Sequence, residues 1–171
     1  MRKALFQPSA EGEARLLLLI DAFSRPDRTL QGRTKLAKLD FLLRYPHFFR
    51  RAMVVRRPAV APPEESGLAD IETRMVRFRY GPWDPAYYAL LGSLIGRGLV
   101  VVVPEPRGLG YRTSTPGGQL AARIAEDPAW VQVADRCALL RGNFDLTGNS
   151  LKAFVYDNFP EVVGARWGDQ L

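Results

Sequence analysis

The side chains that usually carry catalysis or bind metals are few and scattered in this chain of 171 residues. It has one histidine, His47, and one cysteine, Cys137, so a zinc site would need carboxylates or a second chain to complete it. Two adjacent carboxylate pairs, Glu64–Glu65 and Glu126–Asp127, fall in a predicted loop and at a predicted helix start, and neither indicates acid–base catalysis. The glycines of residues 107–110 lack the spacing of a phosphate-binding loop. We therefore expect no enzymatic activity, no metal and no cofactor.

Arginine and lysine are the chemically active residues that do cluster. The segment 27–57 holds nine bases and two acids, a surplus of seven positive charges in a chain whose net charge is +6. This pattern is typical of contact with nucleic-acid phosphates or with an acidic protein surface, and a solvated basic surface is the third interpretation. The candidates for DNA phosphate contact are Arg33, Lys35, Lys38, Arg50, Arg51, Arg56, Arg57 and Arg107.

The basic segment is expected to lie on helices. Apolar periodicity predicts helices over 9–23, 31–44 and 47–54. In the second of these helices, the leucines at 36, 39, 42 and 43 are predicted to point inward, and Arg33, Lys35 and Lys38 to point outward. The proline-rich stretch 56–70 is predicted to be a flexible loop. Alternation over 74–80 predicts a short strand, which could pair with a downstream hairpin as its third strand.

Residues 83–124 indicate the fold, because they follow the order helix, strand, tight turn, strand, helix. Asp84-Pro85 is typical of a helix start, with Pro85 at the first helical position. The apolar run 99–103, the turn at Arg107-Gly108 and the return over 109–113 predict a β-hairpin, or wing. The predicted fold class is mostly α with a small β-wing: a winged helix-turn-helix with extra N- and C-terminal helices. Residues 1–125 form the winged-helix domain, and residues 126–171 form a helical extension packed on it.

The helix before the wing reads bases in a DNA-binding winged helix. Here its outer face carries Tyr88, Ala89, Gly92, Ser93, Gly96 and Arg97, and only the arginine could contact a base edge. A small, smooth face favours close packing against another protein, with Gly92 either allowing backbone approach or being a tolerated surface glycine. The candidates for a protein interface are Trp83, Tyr88, Gly92, Ser93, Phe154, Tyr156 and Trp167, although core packing is an equal alternative for the aromatic residues.

Several of these clusters resemble one known family. The resemblance rests on three clusters, at residues 36–43 (LAKLDFLL), 97–100 (RGLV) and 110–113 (GYRT). Over about residues 5–145, the chain resembles the middle component of ABC-three-component systems. These are the small subunits of Lamassu-type anti-phage defence, encoded with an SMC-like ATPase. The resemblance implies a non-enzymatic adaptor that binds the ATPase at its head or coiled coil and helps restrain an effector, often a nuclease. It also implies contact with DNA that does not depend on sequence.

A different class of function stays open. The same helix–wing order occurs in MarR- and PadR-like transcription regulators, which would require a homodimer, expected through the first and terminal helices. The longest apolar runs are too short to span a bilayer, so no membrane contact is expected. A single cysteine suits a reducing compartment, and the expected location is the cytoplasm.

Overall fold

Helices make up most of the computed structural model, which describes residues 8–61, 75–78 and 81–171. Two small antiparallel sheets accompany them, so the prediction of a mostly helical chain with a small β portion is confirmed. The elements of the described residues, in chain order, are α1 (Ala10–Phe23), β1 (Leu30–Gln31), α2 (Gly32–Arg44), α3 (Pro46–Arg56), β2 (Val76–Phe78), β3 (Gly81–Trp83), α4 (Tyr87–Gly96), β4 (Val100–Glu105), β5 (Gly108–Thr113), α5 (Thr115–Glu126), α6 (Val131–Phe144), α7 (Gly148–Asn158) and α8 (Pro160–Val163).

Helix α1 is the centre of the fold. Its apolar run 16–20 has no polar interruption and is buried throughout, as expected for a helix that neighbours surround. The Ser9 hydroxyl accepts a hydrogen bond from the Gly12 amide at 3.0 Å and caps the helix, as its sequence predicts. Helices α4, α5 and α6 and strand β5 all pack against α1.

The C-terminal helices complete the same apolar core. Helix α2 buries the four leucines that its periodicity predicts to face inward, and α7 and α6 pack against it. Leu151, Val155 and Phe159 are fully buried in the core cluster that also holds the side chains of α1 and α2. Residues 126–171 therefore supply part of one shared core.

The β4–β5 hairpin forms as predicted, with its turn at Pro106-Arg107 and Gly108 in the left-handed region at φ +128°. Its third strand is β1, which pairs antiparallel with β5 through Leu30 opposite Tyr111, giving the order β1-β5-β4. The prediction that the strand within 74–80 would join this hairpin is therefore wrong. Strand β2 instead pairs with β3, a partner only three residues further along the chain.

Helices begin two or three residues after the prolines of the two Asp-Pro pairs, and at Asp84-Pro85 the start is therefore displaced from its predicted position. The Asp84 carboxylate accepts a hydrogen bond from the Ala86 amide at 2.8 Å, so the Asp-Pro pair forms a turn and α4 begins only at Tyr87. Asp127 makes the equivalent bond to the Ala129 amide at 2.8 Å, and α6 begins at Val131. An aspartate that satisfies the amide two residues on favours a turn over a helical first position.

Two further findings concern the predicted loop and the membrane. Of the predicted loop 56–70, residues 57–61 form an exposed turn after α3, and residues 62–70 lie outside the described part of the chain. Over the described ranges, no helix has both the length and the apolar character needed to cross a bilayer.

Candidate functional site

Two of the eight predicted phosphate contacts are buried. Lys35 is 4% exposed and Lys38 is 1% exposed, so the prediction that they point outward is wrong, and neither lies on the open surface of α2 where a DNA backbone would run. The Lys35 Nζ donates to the Asp145 carboxylate at 2.6 Å. Helix α7 and strand β3 cover this side of α2. The periodicity of α2 alone cannot reveal these neighbours, because they come from later in the chain.

The other predicted phosphate contacts fall into two groups: side chains that contact another group of the chain, and exposed side chains at the surface. Arg33 is exposed, and its guanidinium lies 4.8 Å from the centre of the Tyr88 ring. Arg51 is ion-paired with Glu161 and lies over Phe159. Arg56 donates to the Asn143 carbonyl at 3.0 Å. The exposed bases include Arg50, Arg57 and Arg107, the first two at or beside α3 and the third at the tip of the β4–β5 hairpin.

Helix α4 presents the outer face that its sequence predicts, with one correction. Tyr88 is 60% exposed, Ala89 and Gly92 are exposed, and Ser93 is half-buried. Ile95 completes the apolar spacing of this helix in the sequence and would be expected to point inward, but it is 37% exposed. A Cβ atom placed at Gly92 would meet no described atom within 4 Å, so no neighbour in the described part of the chain requires a glycine there. Arg97, the one side chain suited to base contact, donates to the Glu13 carboxylate at 2.7 Å.

Three of the predicted interface aromatics lie on one surface. The rings of Trp167, Phe78, Trp83 and Tyr88 follow one another with centroid distances of 6.2, 6.0 and 6.1 Å, and we call them the aromatic strip. Trp167 is 65% exposed and Phe78 is 49% exposed. Sequence reasoning missed Phe78, and the alternation over 74–80 was the only available signal. The structure exposes Phe78 and buries its neighbour Arg77.

The remaining two predicted interface aromatics are not part of the aromatic strip. Phe154 is half-buried and packs edge-on against Phe144 and Phe159, at centroid distances of 5.5 and 6.1 Å. Tyr156 is also half-buried, with the Lys152 ammonium 5.5 Å from its ring centre. Packing within the chain accounts for Phe154, which was the alternative interpretation.

A pocket of about 200 Å³ opens beside the aromatic strip. Phe78, Trp83 and Tyr88 form apolar walls, and Arg33 and Lys38 of α2 bring positive charge to its lining. Burial, together with the positive charges of Arg77 and Lys152, lowers the pKa of Lys38 to about 7. The pocket therefore combines stacking surfaces with a buried ammonium group.

A second cluster of charges lies in the core and joins α1, α2 and the turn before α4. Asp40 accepts hydrogen bonds from Arg15 Nε at 2.8 Å and from the Tyr87 hydroxyl at 2.7 Å, and Arg44 donates to Asp84 at 2.7 Å. Burial by itself would raise the pKa of Asp40, but Arg15, Arg44 and the Tyr87 hydroxyl hold that pKa below its usual value. The two arginines and two aspartates balance in charge, so we interpret this core network as structural.

No arrangement suited to metal binding is found in the part of the chain that the structure describes, where no three His, Cys, Asp or Glu side chains converge. Cys137 is buried, and burial raises the pKa of its thiol, so it is held as the neutral form. His47 is exposed at the start of α3.

Comparison of the chain with protein-family models, with curated proteins and with solved structures finds no match in any of the three. Any function must therefore be argued from the residues and surfaces described above.

Proposed function

We propose that this chain is a non-enzymatic adaptor subunit built on a winged helix, whose main partner is a protein. The order α1-β1-α2-α4-β4-β5, with sheet order β1-β5-β4, supports the winged-helix assignment. On this assignment α4 occupies the position of the recognition helix and the β4–β5 hairpin is the wing. The segment α3-β2-β3 is then an insertion between the second and third helices of the motif.

The outer face of α4 is the observation that carries the proposal. Base readout requires bidentate Arg, Asn or Gln side chains, and this face presents Tyr88, Ala89, Gly92 and Ser93 instead. An open glycine in mid-helix costs about 1 kcal/mol relative to alanine. No contact with the described residues of the chain explains Gly92, so we attribute it to the close approach of another protein.

The proposed setting is a complex with an SMC-like ATPase in bacterial anti-phage defence, as the family resemblance implies. In that setting the subunit binds the ATPase head or coiled coil and helps restrain an effector, for which a nuclease is the expected type. The exposed bases Arg50, Arg57 and Arg107 are the first candidates for DNA contact that does not depend on sequence. Arg33, Arg51 and Arg56 are also exposed and remain candidates, although each already contacts a group of the chain.

The alternative, a MarR- or PadR-like regulator, needs a dimer interface. The expected interface included the first helix, but the apolar face of α1 is covered by α4, α5, α6 and β5 of the same chain. That burial favours the adaptor over a regulator that dimerises through α1.

The first experiment is co-purification with the SMC-like ATPase that the proposal requires to be encoded beside this chain. Gly92→Lys is expected to abolish the complex, because a long side chain would block backbone approach at α4. Gly142→Lys is the matched control, since Gly142 is also an exposed helical glycine with nothing within 4 Å of its Cβ position. Absence of such a gene, or equal co-purification of both variants, would contradict the proposal.

A second experiment measures DNA binding by the complex at several salt concentrations. Reversing Arg50, Arg57 and Arg107 to glutamate is expected to weaken binding and to flatten its salt dependence by roughly one unit of log–log slope per lost phosphate contact. Arg123→Glu on α5, an exposed base outside the predicted set, is the control. Tight, salt-resistant binding of one short operator by a homodimer of the isolated chain would instead establish the regulator.

A further inference from the structure

The pocket beside the aromatic strip has features that neither the fold nor the proposed adaptor role explains. It lies between α2, the β2–β3 pair and the start of α4, and its volume is about 200 Å³. Trp83 and Tyr88 offer aromatic surfaces, and the Arg33 guanidinium lies over the Tyr88 ring. These groups give the pocket flat apolar walls and a cationic edge.

Lys38 brings a buried positive charge to this pocket. Its side chain is 1% exposed, and among the described residues no carboxylate forms an ion pair with it. Its ammonium lies against the backbone of Gly81, where a Cβ atom would be 3.2 Å from Nζ. Gly81 also has φ +106°, a conformation that favours glycine, so the close approach of the lysine is part of the local fold.

A second buried cation reinforces the first. Arg77 is 7% exposed, and its buried Nη1 has no hydrogen-bond partner among the residues that the structure describes. The positive charges of Arg77 and Lys152 act on Lys38 strongly enough to contribute to its lowered pKa. Lys38 and Arg77 are both buried, and no carboxylate of the described residues forms an ion pair with either. Buried cations are costly when they lack a counter-charge, so this side of the pocket favours an anion.

We propose that the pocket binds a nucleoside phosphate, either a free nucleotide or the terminal nucleotide of a nucleic-acid strand, with the base against Trp83 and Tyr88 and the phosphate toward Lys38 and Arg33. Aromatic side chains stack on any base because every base has a π-face. A terminal phosphate carries up to two negative charges and offers several acceptor oxygens. It therefore offsets the clustered cations better than a single carboxylate. The pocket size admits a base but leaves no room for a duplex.

The experiment titrates the full chain with four probes: AMP, 5′-phosphorylated hexathymidine, the same oligonucleotide without the phosphate, and an Asp/Glu-rich peptide containing one phenylalanine. Calorimetry gives the affinity, and quenching of tryptophan fluorescence reports stacking at Trp83. Lys38→Met is expected to weaken nucleotide binding by about tenfold or more, because it removes a charge-assisted contact. Tyr88→Ala is expected to weaken it by roughly fivefold or more, because it removes a stacking surface. Tyr88 is exposed, so its variant tests the pocket without disturbing the core.

Arg123→Met is the matched control, since it removes one exposed base of α5 that does not line the pocket and is expected to leave the affinity unchanged. Binding of AMP as tight as that of the phosphorylated oligonucleotide would identify a free nucleotide as the ligand. Preference for the phosphorylated oligonucleotide over both AMP and the unphosphorylated strand would identify a strand end. The proposal is overturned if no nucleotide binds at millimolar concentration, if only the acidic peptide binds, or if Lys38→Met binds as the unaltered chain does.

Discussion

Buried charge has opposite consequences at two positions of α2. Asp40 is surrounded by Arg15, Arg44 and the Tyr87 hydroxyl, which together keep it ionised in the core. Lys38, two residues earlier, has cations as its charged neighbours and a lowered pKa. Asp40 is therefore stabilised in the core by its ion pairs and hydrogen bonds, whereas Lys38 is kept in its position by packing.

Asp40→Asn is expected to lower the free energy of unfolding by about 3–5 kcal/mol, because it leaves Arg15 and Arg44 buried with a deficit of negative charge. Glu13→Gln is the control, since it removes only the partial surface pair with Arg97 and is expected to cost about 0–1 kcal/mol. Urea denaturation monitored by circular dichroism measures both. Similar values for the two variants would show that the core network contributes no more than a surface pair.

The acid stability of the chain is expected to depend on the same aspartate. The pKa of Asp40 is lower in the folded chain than its ordinary value of 3.8, so the unfolded chain binds more protons when the pH falls through that range. The stabilisation is fully present above the ordinary value and is lost as the pH falls toward the folded pKa. Denaturation measured from neutral to acidic pH should show this loss, and Asp40→Asn should show less of it.

Lys38 is expected to make the free energy of unfolding depend on pH in the alkaline range. Its pKa is about 7 in the folded chain against an ordinary value of 10.5, so the unfolded chain binds more protons between these values. Stability attributable to this residue should therefore rise with pH over that window. Lys38→Met should lack this rise and should be at least as stable as the unaltered chain at neutral pH. Parallel stability curves for the two proteins would contradict the assignment.

At the scale of elements, two helical glycines differ in how much space surrounds their Cβ positions. Gly92 on α4 has open space around its Cβ position, whereas a Cβ at Gly117 on α5 would lie 1.9 Å from the Leu99 carbonyl oxygen. Helix α5 thus approaches the start of β4 so closely that only glycine fits. Both glycines stand in helices, and helix propensity alone treats them alike.

Gly92→Ala is therefore expected to raise the free energy of unfolding by about 0.5–1 kcal/mol, because alanine is the better helix former and meets no neighbour. Gly117→Ala is expected to lower it by about 1–3 kcal/mol or more, since the methyl group overlaps a backbone carbonyl. Thermal unfolding of the two variants side by side tests the comparison. A destabilised Gly92→Ala would mean that α4 meets a neighbour that the structure does not show.

At the scale of the whole molecule, the C-terminal helices are part of the fold. Leu151, Val155, Phe159 and Val162 are buried against the same core as α1 and α2. Burying one such side chain stabilises a domain by about 1.5–3 kcal/mol. Four of them therefore contribute about as much as the whole net stability of a typical domain, which is roughly 5–15 kcal/mol.

A chain that ends at Asp145 is consequently expected not to fold, and the full chain is expected to unfold in one cooperative transition. Circular dichroism and amide dispersion in NMR spectra distinguish a folded from an unfolded truncated chain. A folded truncated chain with native spectra would show that residues 146–171 are a dispensable extension.

The positions of the helices and of the β4–β5 hairpin follow from the sequence, because they depend on local periodicity, caps and turns. The sequence also shows that the outer face of α4 lacks side chains for base readout, because helical spacing alone decides which residues share that face. By contrast, the burial of Lys35 and Lys38, the pairing of β1 with β5 and the pocket at Phe78 were decided by the tertiary structure. Lys35 meets Asp145 across 110 residues of chain, and no local pattern reports such a contact. The sequence specifies which charges the chain carries, whereas packing between distant elements decides which of them reach the surface.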